Sequence, residues 1–210
     1  MIKSISYNQD EILQWIIKLY CPDGFEVDPT YSTGNFYKNI PEPKYKFDIK
    51  PQSKYVDKAD CRHLPFANEA VASIMFDPPF IATTSKKKTG IIRNRFGGYN
   101  NIPKALWSMY HESLAEFARI LRDGGVLVFK CQDAIESRKQ YFSHVEIFNK
   151  AISVGFYPKD MFVLLAKSRL ISPNAHNQQH ARKFHSYFLV FLKQKCPVKY
   201  STCTKCNNSD

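Results

Sequence analysis

Apolar residues recur at helical spacing between Asn8 and Tyr20, at Ile12, Leu13, Ile16, Ile17, Leu19 and Tyr20, which predicts an amphipathic helix. Short apolar runs bounded by turn residues follow at Gly24–Asp28, Tyr45–Ile49 and Tyr55–Asp60, and each predicts a strand. Val71–Asp77 is apolar almost throughout, as in a strand buried on both faces of a parallel sheet. The pattern breaks from Ile81 to Asn101, a polar, basic, glycine-bearing stretch that predicts a long loop. Pro103 suits a first helical turn, and Ala105, Leu106, Met109, Tyr110, Leu114, Phe117, Ala118 and Leu121 keep helical period up to Gly124-Gly125. Beyond it, Val126–Cys131 predicts a buried strand and Tyr141–Val154 a helix stopped by Gly155. Met161–Ala166 and Ser186–Leu192 predict two closing strands, separated by a second basic loop from Lys167 to His185.

Strands alternating with helices predict an α/β fold with a largely parallel sheet. A chain of 210 residues, 44% of them hydrophobic, suits one domain with a full core. Residues 1–194 read as that domain, and residues 195–210 as a cysteine-containing tail without packing periodicity. No apolar run approaches a membrane span, so no membrane partner is expected. Met1-Ile2-Lys3-Ser4-Ile5 lacks the elements of an export signal. A cytoplasmic setting follows as the expectation, with the six cysteines as thiols.

Charge narrows the partner. The formal net charge is +11, which favours polyanions through phosphate contacts and counterion release, with nucleic acid foremost. A soluble basic protein without such a role would carry the same excess. Lys86, Lys87, Lys88, Arg93 and Arg95 in the first loop, and Arg182 and Lys183 in the second, are the candidate phosphate contacts. His176, His180 and His185 lack an obvious acidic or cysteine companion, so no metal site is expected there. Cys196, Cys203 and Cys206 are one ligand short of a structural zinc site, and free thiols on a tail are the expectation.

The chemistry concentrates at Asp77-Pro78-Pro79-Phe80, directly after a predicted buried strand. Ligands of open α/β sheets bind beyond the carboxyl ends of strands. The two prolines fix φ and remove N–H groups, leaving a rigid turn with carbonyl acceptors. A carboxylate, a carbonyl and an aromatic face together suit a planar group bearing an NH₂. Holding both amino hydrogens on acceptors makes the nitrogen more nucleophilic without a covalent enzyme intermediate. The same tetrapeptide would also serve as a plain turn with a capping Asp. Upstream, Phe25 to Asn35 runs from a strand into a tight turn of small residues that lets backbone approach a ligand. Asp48, ending the next strand, could accept from ribose hydroxyls, and Asp60, beside Cys61, from an adenine amino group.

In this order the residues resemble the Rossmann-like S-adenosylmethionine-dependent amino-methyltransferases of nucleic acids. Their cofactor motif, commonly Asp-Pro-Phe-x-Gly-Ser-Gly, is similar to Asp28-Pro29-Thr30-Tyr31-Ser32-Thr33-Gly34, and their Asp/Asn/Ser-Pro-Pro-aromatic motif is matched by Asp77 to Phe80. The resemblance spans roughly residues 24 to 193. It implies a seven-stranded, mostly parallel sheet with an antiparallel last strand, and S-adenosylmethionine as cofactor. Asp28, Pro29, Thr30, Gly34, Asp48, Asp60 and Cys61 would then belong to the cofactor pocket. Asp77, Pro78, Pro79 and Phe80 would hold an exocyclic amine of a flipped DNA base, adenine N6 ahead of cytosine N4. Alternatives are methylation of RNA adenines or of protein amides and lysines, or a non-catalytic nucleic-acid-binding subunit of this fold. Departures are Ser32 at the first glycine of the family turn, Thr30 at its usual aromatic, and little room for a helix between Gly34 and Pro41.

Overall fold

The computed structural model describes residues 1–80, 102–136, 138–168 and 179–195. The expectations for Lys86, Lys87, Lys88, Arg93, Arg95 and His176, and for the tail cysteines, lie outside these residues. Helix α1 spans Gln9–Tyr20; the Asn8 side chain caps it by accepting from the Asp10 N–H, and Asp10 and Glu11 complement the dipole of its first turn. Helices α2 (Ile102–Ile120) and α3 (Ser143–Ser153) follow. The strands are β1 (Ile5–Ser6), β2 (Val27–Asp28), β3 (Tyr45–Asp48), β4 (Asp57–Lys58), β5 (Val71–Phe76) and β6 (Leu121–Cys131). After them come β7 (Ala134–Glu136), β8 (Lys139–Tyr141), β9 (Phe156–Leu165) and β10 (His185–Lys193).

Eight strands form one sheet in the order β1-β9-β10-β6-β5-β2-β3-β4, while β7 and β8 pair as a separate hairpin. Within the large sheet β10 is antiparallel to both neighbours, and the other pairings are parallel. The expected mostly parallel α/β fold is therefore present, with one strand more than seven. The addition is β1, which joins the edge by pairing Ile5 with Val163. The chain runs outward from β2 through β3 to β4, then returns to β5 on the other side of β2. That reversal opens a crevice at the carboxyl ends of β2 and β5.

Each face of the sheet carries its own core. On one, Leu106, Tyr110, Leu114 and Phe117 of α2 pack with Phe76 and Phe129; on the other, Ile12, Leu13 and Ile16 of α1 pack with Met75, Val128 and Phe188. Alternation along β5 sends Ile74 and Phe76 to the first face and Met75 to the second, each such burial worth about 1.5–3 kcal/mol. Several boundaries differ from the sequence pattern. The second helix ends at Ile120 because Leu121 is drawn into pairing with Val71, and Gly124, at φ 71°, sits in a register shift of β6 instead of closing the helix. Strand β9 begins at Phe156, five residues before the apolar run at Met161, because β10 supplies partners along that whole length. After Gly34 only a 3-10 turn, Asn35–Tyr37, forms. No helix among the described residues is long and apolar enough to cross a membrane.

Candidate active site at the carboxyl ends of β2 and β5

The turn after β2 is built around Asp28, which is 2% exposed. Its Oδ1 accepts from the Thr30 N–H at 2.7 Å and from the Thr30 hydroxyl at 3.2 Å, and its Oδ2 accepts from the Tyr37 hydroxyl at 2.7 Å. Burial pushes the Asp28 carboxyl up to about 7; the hydrogen bonds from Tyr37 and Thr30 oppose that shift and the neighbouring Asp77 adds to it. Next along the turn, Ser32 is held at φ 56° while its N–H donates to Asp48 Oδ2 at 3.0 Å. A left-handed backbone is where glycine would stand at least cost, as the family motif at this position anticipates. Gly34, at φ 71°, has the Tyr31 ring where a methyl group would go.

Four strand ends, those of β2, β3, β4 and β5, converge on a cleft of about 80 Å³, open to solvent and lined by Pro29, Thr30, Asp48, Asp60, Cys61 and Asp77 among others. Asp48 accepts one backbone N–H on each oxygen, from Ser32 and from Lys50. Asp60 is more fully engaged: Arg62 grips both its oxygens, with Nη2 2.6 Å from Oδ2 and Nε 2.9 Å from Oδ1, and reaches on to Glu112. That guanidinium pulls the Asp60 carboxyl below its ordinary range. Burial raises the Cys61 thiol to about 11, and the Ser113 hydroxyl donates to its sulfur at 3.2 Å. This thiol is a packing group, not a nucleophile.

Asp77 faces the same cleft. Its backbone N–H donates to the Thr30 hydroxyl at 3.0 Å, and the Pro79 carbonyl accepts from the Tyr110 hydroxyl at 2.9 Å, so the Asp-Pro-Pro turn is tied to β2 and to α2. Asp77 Oδ1 is buried and accepts no hydrogen bond from the described residues. Burial raises the Asp77 carboxyl above its ordinary value, while Lys130, whose Nζ lies 3.7 Å from Oδ1, pulls it down. A buried carboxylate oxygen without a donor carries an energetic cost and calls for a reason.

No family model matches the chain, and no curated protein matches it. Solved structures do resemble it. Geranyl diphosphate methyltransferase in complex with SAM superposes with a TM-score of 0.52 at 12% identity, covering 88% of this chain and 85% of that one. The cyclase SpnF gives a TM-score of 0.54 at 13% identity, covering 88% and 81%. A DNA modification methylase of Thermus thermophilus, so described and solved with S-adenosyl-L-methionine, gives 0.46 at 17% identity over 68% of this chain. This chain spans 56% of that protein's length. The fold is the Rossmann-like methyltransferase fold. A cyclase and a methyltransferase share it, so the chemistry has to be argued from the site.

Of the residues anticipated from sequence, Pro29, Thr30, Asp48, Asp60, Cys61, Asp77, Pro78 and Pro79 are brought together at the cleft. Asp28 lies beneath it, its carboxylate spent on Thr30 and Tyr37. Phe80 borders Lys130, with the ammonium 5.8 Å from its ring centroid. Arg182 and Lys183 are half-buried in the segment leading into β10. Sequence reasoning passed over Lys130, although a lysine inside the apolar run Val126–Cys131 was itself a signal. It also passed over Asp133, a 5% exposed residue whose Oδ1 lies 2.7 Å from His144 Nδ1, and which followed the predicted strand without a motif to mark it. Among the described residues no group of three or more His, Cys, Asp or Glu is placed to hold a metal ion.

Proposed function

We propose that this chain is an S-adenosylmethionine-dependent methyltransferase acting on the exocyclic amine of a DNA base, adenine N6 ahead of cytosine N4. The observation that carries this reading is Asp77 Oδ1, a buried acceptor without a donor among the described residues, at the carboxyl end of a central strand in an Asp-Pro-Pro-Phe turn. An amino hydrogen of the target is the donor it lacks.

The cleft suits the cofactor. Each Asp48 oxygen accepts one backbone N–H and retains a lone pair for a ribose hydroxyl. Asp28 shapes the turn from below, Pro29 and Thr30 line the cleft beside the cofactor, and Gly34 lets the turn close against the Tyr31 ring. Asp60, bound to Arg62, would present that guanidinium and the Cys61 backbone to the adenine in place of a free carboxylate. S-adenosylmethionine supplies a methyl group on a sulfonium as the electrophile.

The residues of the chain do the rest by position and charge. The Asp77 carboxylate accepts one amino hydrogen and the Pro78 carbonyl the other, which turns the nitrogen lone pair out of conjugation with the ring. Pro79, through Tyr110, holds the turn still, and Phe80 stacks on the base. A base within a duplex does not reach this depth, so the target enters flipped or from a single strand. Asp77 then takes up the proton released on transfer and passes it to solvent. The net charge of +11 supports a nucleic-acid substrate, with Arg182 and Lys183, and Lys86, Lys87, Lys88, Arg93 and Arg95, as its phosphate contacts.

The test is mass spectrometry of nucleosides after incubation with S-adenosylmethionine and unmodified DNA. N6-methyladenine is expected. N4-methylcytosine would correct the base. Unmodified DNA from a protein that binds the cofactor would overturn the DNA reading in favour of RNA, a protein amine or a non-catalytic role.

A further inference from the structure

Lys130 is the penultimate residue of β6, the strand beside β5, and its side chain is 11% exposed. The ammonium is held by groups on three other elements. It donates to Gln9 Oε1 of α1 at 3.0 Å, and it lies 4.6 Å from the ring centroid of Phe36, 5.5 Å from that of Phe188 and 5.8 Å from that of Phe80. Aromatic faces attract a cation at such distances, and Gln9 takes one of its hydrogens. The distance to Asp77 Oδ1 is 3.7 Å, past hydrogen-bond range but well inside the range of strong Coulombic attraction in a buried site.

On the reading of Asp77 as the amine acceptor, we infer that Lys130 is a positioning residue whose ammonium, held back by Gln9 and three aromatic rings, keeps Asp77 ionised while leaving Oδ1 free for the target. An ammonium in hydrogen-bond contact would also ionise Asp77, but it would occupy the oxygen the substrate needs. Without the ammonium, burial would favour a protonated Asp77. Among the described residues, Asp48, Asp60 and Arg62 line the same cleft, the last two paired with each other, the Tyr110 hydroxyl donates to the Pro79 carbonyl, and the Tyr37 hydroxyl is committed to Asp28. A protonated Asp77 offers a donor where the amine needs an acceptor, so the separation between Lys130 and Asp77 serves the reaction directly.

Two variants with opposite signs test this, read by ¹³C-carboxylate titration of Asp77 without substrate and by the pH profile of kcat/KM. Lys130→Met retains the apolar stem among the rings. Its Asp77 midpoint is expected to rise by about one pH unit or more, and the acid limb of the profile to move with it, at unchanged cofactor Kd. Gln9→Leu releases the ammonium to close on Asp77. Its Asp77 midpoint is expected to fall, and turnover to drop because Oδ1 is taken. An Asp77 midpoint that stays at its wild-type value in either folded variant overturns the inference, and if Lys130→Met does not fold, Gln9→Leu alone decides. Midpoints that move as stated in a protein that methylates no base would uphold the Lys130–Asp77 relationship and overturn the methyltransferase reading instead.

Discussion

The Thr30 hydroxyl accepts from the Asp77 backbone N–H at 3.0 Å while it donates to Asp28 Oδ1 at 3.2 Å, so one side chain joins the turn after β2 to the turn after β5. The first turn borders the proposed cofactor and the second carries the proposed amine acceptor. Their relative position is what sets the line of methyl transfer. An aromatic residue, usual at this position in the resembled family, could not make this link.

Thr30→Val keeps the volume and removes the link. It leaves the Asp77 N–H without its acceptor and Asp28 with one donor fewer. Stability is expected to fall by about 1–3 kcal/mol in urea denaturation, and kcat to fall more than cofactor affinity. Equal losses in both would mean that the two turns are positioned by the sheet alone.

Ser32→Gly should act in the other direction. Ser32 stands at φ 56°, which an L-residue occupies at a cost, while its N–H bond to Asp48 is a backbone interaction that glycine retains. Glycine relieves the strain and loses part of the gain to chain entropy, so a net stabilisation of about 0.5–1 kcal/mol is expected, visible as a higher Tm. A lower Tm would show that the serine hydroxyl contributes more than the backbone strain costs.

How far the sequence carried the argument differs from element to element. Periodicity found α1 and both later helices because each presents an apolar stripe to a core face, and a continuous apolar run found β5, which is buried on both faces. The motif turns were legible because proline, aspartate and small residues follow strands in a fixed order. The hairpin of β7 and β8 was missed: Ala134–Glu136 and Lys139–Tyr141 carry no alternation, and their turn uses Arg138 at φ 65° where glycine would have marked it. The partners of the carboxylates were also hidden. Asp60 and Arg62 lie two apart in the chain, yet nothing in their spacing distinguishes a closed ion pair from an open acceptor, and Asp28 reads as a ligand until its burial is known.

Asp28 makes folding depend on pH in a definite sense. Its folded pKa is raised to about 7, above the unfolded carboxyl, so its favourable contribution is complete below the unfolded value and is lost as pH rises through about 7. Asp28→Asn keeps an oxygen for Thr30 and removes the titration. Between about pH 4 and 7 wild-type stability should therefore decline relative to the variant, by up to about 4 kcal/mol at the upper end. Chemical denaturation of both proteins across that window checks it. A constant difference would place the Asp28 carboxyl at its ordinary value despite its burial.

Asp77 and Phe80 separate binding from chemistry. Asp77→Ala removes the acceptor but leaves the Ser32–Gly34 turn and Asp48 in place, so methyl transfer should be abolished with cofactor Kd nearly unchanged, as isothermal titration would read. Loss of cofactor binding along with activity would mean that Asp77 belongs to the cofactor side of the cleft. Phe80→Ala removes a stacking face worth about 1–3 kcal/mol, which corresponds to roughly a 5- to 150-fold fall in kcat/KM. That fall should be carried mainly by KM if the ring only holds the base, and by kcat if it fixes the angle of attack. An undiminished kcat/KM would take Phe80 out of the mechanism.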